Sequence, residues 1–153
     1  MAIKQTFRKA LKADVTYSNE QMRELPEFDI CGIVGMVQSD QEGILFCQFT
    51  KEAVFMILKE SYNVETDKIE KVAMDFVGEF TNLIYSNIKS KLNEILDFHF
   101  QMAIPAVITG ENLQIHGQEE YYPLSKKLVF LYKNIPICLH FKMREKPLLK
   151  KAQ

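Results

Sequence analysis

No tryptophan occurs in the 153 residues, and cysteine is limited to Cys31, Cys47 and Cys138. Three cysteines, far apart and in no Cys-x-x-Cys pair, exclude a disulfide framework and a thiolate-only zinc site. They predict free, mostly buried thiols in a reducing, cytoplasmic setting. Glycine and proline are also scarce, at six and five residues. The prolines (Pro26, Pro105, Pro123, Pro136 and Pro147) are scattered, and no linker or low-complexity tract divides the chain. A single domain over residues 1–153 is expected. Charge of one sign is lacking too: 19 basic against 20 acidic side chains leave a net charge of -1. That excludes a sequence-wide field for drawing in nucleic acid or an anionic membrane surface. The longest apolar stretches, such as 30–37, fall far short of the roughly 20 residues that span a bilayer. The first residues interleave Lys4, Arg8, Lys9 and Lys12 with apolar ones, unlike a secretory leader.

What is present is an ordinary globular balance, 47% hydrophobic and 25% charged. Hydrophobic spacing predicts a short amphipathic helix near 3–12, inside a charged stretch reaching 27. A strand pair follows at 30–37 and 44–50, joined by a turn at 39–43 whose Asp40 and Gly43 tolerate hairpin backbone angles. Thr50 can cap a helix running to about 60. Between 66 and 96, Ile69, Val72, Ala73, Phe76, Phe80, Leu83, Ile84, Ile88 and Leu92 recur at the spacing of one long amphipathic helix. Asp67 and Glu70 suit its positive start. A strand at 98–109 is interrupted at Pro105 and therefore belongs at an edge or bulge. Residues 128–132 and 135–143 form a second hairpin across Lys133 and Asn134, and the basic tail 146–153 is expected to fray. The expected fold is α+β, a largely antiparallel sheet with long amphipathic helices on one face.

Chemistry-bearing residues are few. His99, His116 and His140 are scattered and form no His-x-x-x-His pair, so no metal site is expected. Cys138 and His140 share one face of a strand, a spacing that fits a half-buried strand far better than a Cys–His dyad. The long helix is more informative. At ~100° per residue, with Asp75 at zero, Glu79 falls at ~40°, Asn82 at ~-20° and Ser86 at ~20°. Phe76, Phe80, Leu83 and Ile69 centre near ~110°, so the polar row turns away from the core. Gly78 lies beside that row at ~-60°, and a glycine inside a helix costs about 1 kcal/mol against alanine. Close approach by a partner surface would account for it. Met74 and Tyr85, near ~-90°, read as apolar side chains on the solvent side, as a docking patch would be. The plain alternative is a solvated polar face.

Asp75-x3-Glu79-x2-Asn82, followed by Pro105 after twenty-two residues, resembles the signature of the CheC/CheX/FliY family of chemotaxis phosphatases. The surrounding residues 75–83 and 105–110 resemble that family's motif helix and the strand after it. With 14 Glu and 7 Asn, roughly 0.6 Glu-x-x-Asn pairs arise by chance, and one does: Glu60 with Asn63. The full pattern arises about 0.002 times. The match runs over roughly 30–145, while residues 1–27 match poorly. One motif and no motor extension resemble CheX most.

The resemblance implies a homodimeric phosphatase acting on a phosphorylated CheY-type receiver domain. It implies no cofactor in this chain, with Mg²⁺ held by the receiver. Asn82 would orient the attacking water and Glu79 would pair with a receiver lysine. Asp75, Gly78, Ser86 and Pro105 would support or dock. A non-catalytic module binding the phosphorylated receiver and a dimeric scaffold stay open as alternatives.

Overall fold

The computed structural model describes residues 2–12, 14–18, 24–96, 99–101, 103–115 and 119–146. The chain order is α1 (Ala2–Leu11), β1 (Thr16–Ser18), β2 (Phe28–Val37), β3 (Gln41–Phe49), α2 (Lys51–Tyr62), α3 (Lys71–Leu96), β4 (Ala106–Leu113), β5 (Leu124–Tyr132) and β6 (Ile135–Glu145). A 3₁₀ turn, Glu119–Tyr121, lies between β4 and β5. The six strands form one antiparallel sheet in the order β1-β5-β6-β3-β2-β4. Alternate residues such as Ile30, Val34, Leu45, Phe49, Ile137 and Leu139 bury into one core with all three helices, which therefore share a face. The fold is the expected α+β architecture.

Local chemistry fixes the boundaries. Thr50 accepts the Ala53 N–H at 3.1 Å, capping α2, and Asp29 adds a carboxylate oxygen 2.9 Å from the Lys51 N–H. Asp29 can reach because Ile30 pairs with Phe49, which sets residue 29 beside the start of α2. Asn63 closes α2 in the left-handed conformation (φ 56°) and hydrogen-bonds the Leu58 carbonyl. The second hairpin turns on Lys133 (φ 46°) and Asn134 (φ 68°), positive at both central positions as a two-residue turn of this hand requires.

Several expectations are corrected. The first hairpin turns tightly, with the Gln38 N–H on the Gln41 carbonyl at 3.0 Å, so Gly43 lies within β3. Its role is close packing: a Cβ there would stand 2.5 Å from the Lys142 carbonyl oxygen. The long helix begins at Lys71 rather than 66. Thr66 instead accepts the Lys68 N–H, and the first helical bonds run from Ala73 and Met74 to the Glu70 carbonyl. Pro105 does not interrupt a strand; β4 starts after it and extends to Leu113 at the sheet edge. Pro136, by contrast, lies in the interior strand β6, beyond the end of β3, where its missing N–H breaks no β3–β6 bond. The N-terminal segment is integral: Phe7 of α1 is fully buried, edge-on to Phe80 at 5.0 Å and stacked on Phe130 at 4.3 Å. Phe98, His116 and the tail 147–153 lie outside the described residues.

Candidate functional site

The helix α3 is held against the sheet by a notch. Gly32 in β2 has no side chain, and a Cβ built there would stand 1.9 Å from the Thr81 hydroxyl oxygen. Thr81 is fully buried in that space and donates to the Val77 carbonyl at 2.7 Å. One turn later, Tyr85 is 2% exposed and donates to the Gln101 carbonyl at 2.6 Å. Gln101 is itself tied to the Val37 carbonyl at 2.9 Å. Tyr85 is thus not a docking residue, because the 99–101 segment covers that side of the helix. Leu83, expected in the core, is 45% exposed. The buried arc therefore centres near ~180° from Asp75 rather than ~110°, and Leu83 falls on its flank.

That rotation leaves the polar row squarely opposite the sheet. Asp75, Glu79, Asn82 and Ser86 are all exposed. Met74, Asp75, Gly78, Glu79 and Asn82 line one side of an open groove of about 620 Å³, and Ala103, Ile104, Pro105 and Val107 line the other. The structure therefore brings Pro105 to the motif helix, while Ser86 sits a turn beyond, outside the groove. Gly78 forms part of this wall, where a Cβ would meet Val107 Cγ2 at 3.5 Å, an ordinary contact. The chain's own packing does not demand glycine there. Met74 is 36% exposed and remains on the rim as expected. The sequence reading missed Ile104, 94% exposed at the rim; its only signal was an isoleucine directly before proline.

The arrangement offers two carboxylates and one carboxamide on a rigid helix. Among the described residues neither Asp75 nor Glu79 has an ion-pair partner. Such a row can hold a cation, and Asn82 can accept with one carboxamide atom while donating with the other. No group of three His, Cys, Asp or Glu gathers to hold a metal among the described residues.

Elsewhere the candidates resolve into structure. Cys31, Cys47 and Cys138 are free and buried. Burial pushes the Cys138 thiol up to about 11, with Lys127 opposing. The His140 ring meets the Ser125 hydroxyl at 3.0 Å. The chance pair divides its labour: Glu60 accepts from Tyr132 at 2.7 Å and pairs with Lys133 at 2.6 Å, while Asn63 is the α2 cap.

The α+β domain thus presents at an open groove an acidic–amide row whose carboxylates have no ion-pair partner among the described residues. The family model described as "Chemotaxis phosphatase CheX" matches residues 30–126, and the chain belongs to that family. The solved chemotaxis protein CheX of Vibrio vulnificus shares the fold at TM-score 0.80, with 19% identity over 94% of each chain. A CheC-like protein of Shewanella oneidensis matches at 0.75, with 22% identity over 94% of this chain and 93% of that one. The CheX of the CheX–CheY–BeF₃–Mg²⁺ complex from Borrelia burgdorferi matches at 0.65, with 20% identity over 95% and 94%. No sequence among curated proteins matches the chain. No helix among the described residues is long and apolar enough to cross a membrane.

Proposed function

We propose that this chain hydrolyses the phospho-aspartate of a CheY-type receiver domain, with Asn82 orienting the attacking water and Glu79 pairing with a receiver lysine. The observation that carries the reading is the Asp75–Glu79–Asn82 row: exposed, without an ion-pair partner among the described residues, and opposite Pro105 across an open groove. The CheX–CheY complex of a relative supports the choice of partner.

The chemistry asks little of the chain beyond placement. Water adds to phosphorus while the bond from phosphorus to the aspartyl oxygen breaks, releasing inorganic phosphate and a free carboxylate. Phosphoryl transfer is governed chiefly by positioning and electrostatics, so a carboxamide holding one water in line suffices. Mg²⁺ held by the receiver would neutralise charge on the phosphoryl oxygens. Glu79, one turn before Asn82, fixes register by meeting a cation that no described residue of this chain supplies. Asp75 supports docking one turn earlier, and Gly78 lets the partner surface approach. The chain also forms a homodimer in this reading, with the edge strand β4 as the pairing surface. The test is phosphate release from a phosphorylated receiver domain of the same genome. Release accelerated by catalytic amounts of the chain supports the reading. Binding without acceleration would leave the non-catalytic module instead.

A further inference from the structure

The acidic row has a second flank. On the side away from Pro105, α1, α2 and α3 leave a recess of about 370 Å³. Its walls include Leu58, Tyr62, Val72, Phe76 and Leu83, and Asp75 and Glu79 contribute to its lining. Three of these walls are unusually open: Leu83 is 45% exposed, Tyr62 41% and Val72 36%. Contiguous apolar exposure of this kind marks an interaction surface rather than scattered surface leucines. The recess is preformed. The Tyr62 hydroxyl donates to the Ala10 carbonyl, and the Lys12 ammonium lies 4.7 Å from the ring centroid.

We infer that this recess is a specificity pocket for one apolar side chain of the same receiver domain whose lysine reaches Glu79. The inference rests on the proposed function and adds to it a second point of contact. Asp75 and Glu79 line both this recess and the groove holding Asn82. A partner seated on the row to reach Asn82 therefore covers the recess as well. The two carboxylates have no ion-pair partner among the described residues, so an occupant that presents a cation next to an apolar group complements the site in charge as well as in apolarity. A basic residue neighbouring an aliphatic or aromatic one on a receiver surface supplies both. A buried aliphatic side chain in such a pocket contributes enough to set partner choice without touching the chemistry.

The experiment titrates full-length Leu83→Ser and Leu83→Met against a receiver domain activated with beryllofluoride and Mg²⁺, with Asn82→Ala alongside. Leu83 is exposed, so both variants fold; thermal melts verify this. Leu83→Ser is expected to raise Kd about tenfold, the scale of losing one partly buried leucine, while Leu83→Met stays near wild type. Dephosphorylation at saturating receiver stays within about twofold for Leu83→Ser. An unchanged Kd for Leu83→Ser overturns the pocket, whatever Asn82→Ala does to turnover. Altered self-association in sedimentation with unchanged Kd also overturns it, assigning the recess to a second copy. Turnover retained in Asn82→Ala would overturn the catalytic reading alone, since the Kd comparison stands without it.

Discussion

Replacing Gly78 by alanine separates what the fold needs from what a partner needs. Alanine is favoured over glycine inside a helix by about 1 kcal/mol. The added Cβ would meet only Val107 Cγ2, at 3.5 Å, so no clash offsets that gain. The variant should therefore be more stable by about 1 kcal/mol, a rise in Tm of roughly 2–4 °C for a chain of this size. At the site the sign reverses. Gly78 precedes Glu79 and lies one turn before Asn82, in the wall of the groove. A methyl there holds the partner surface away, and displacement by about 1 Å from an in-line geometry can cost on the order of 10²-fold. Thermal denaturation paired with single-turnover dephosphorylation of a receiver domain reads both effects. A stability gain with loss of activity is expected. Full activity in the stabilised variant would refute the argument that a partner approaches here, and a destabilised variant would refute the description of the groove.

Gly32→Ala should destabilise by about 1–3 kcal/mol in urea melts, because the buried Thr81 hydroxyl occupies the space a Cβ needs, and Thr81→Ala should recover only part of the loss, since the Thr81 Cβ would still stand 2.9 Å away. His140 supplies a pH test. Burial first, then Lys127 and Lys142, push its pKa from 6.5 down to about 4, with Ser125 and Phe46 completing its surroundings. Between those values the unfolded chain takes up a proton that the folded imidazole refuses, so acid favours unfolding. Stability should fall by about 2 kcal/mol from pH 8 to pH 5, and His140→Gln should flatten that slope in urea melts. Sedimentation at micromolar concentration should give a dimer; a monomer alone would contradict pairing through β4.

Much of the scaffold was legible because it rests on local periodicity. The two hairpins and the amphipathic face of α3 follow from alternation and 3.6-residue spacing, and Thr50 announced the start of α2. What escaped depends on neighbours distant in sequence. β1 is three residues that pair along β5, and the start of β5 is exposed, so neither carries a hydrophobic pattern. The helical wheel placed Asp75, Glu79 and Asn82 together because relative angles follow from spacing alone. It exchanged the environments of Leu83 and Tyr85 because coverage is decided by Gly32 and by the 99–101 segment. Ile104 and the recess beside Leu83 are products of loop placement and of three converging helices, which no single stretch encodes.

The central claim is that Asn82 acts on water while Glu79 acts on the partner. Single-turnover dephosphorylation of a phosphorylated receiver, with a parallel binding titration, compares Asn82→Ala with Glu79→Ala. Removing one positioning group typically lowers the rate by about 10²-fold or more, so Asn82→Ala should lose rate at nearly unchanged affinity. Truncating one member of a desolvated charge pair costs roughly 2–5 kcal/mol, so Glu79→Ala should lose affinity as well as rate. Wild-type dephosphorylation by Asn82→Ala would contradict the account.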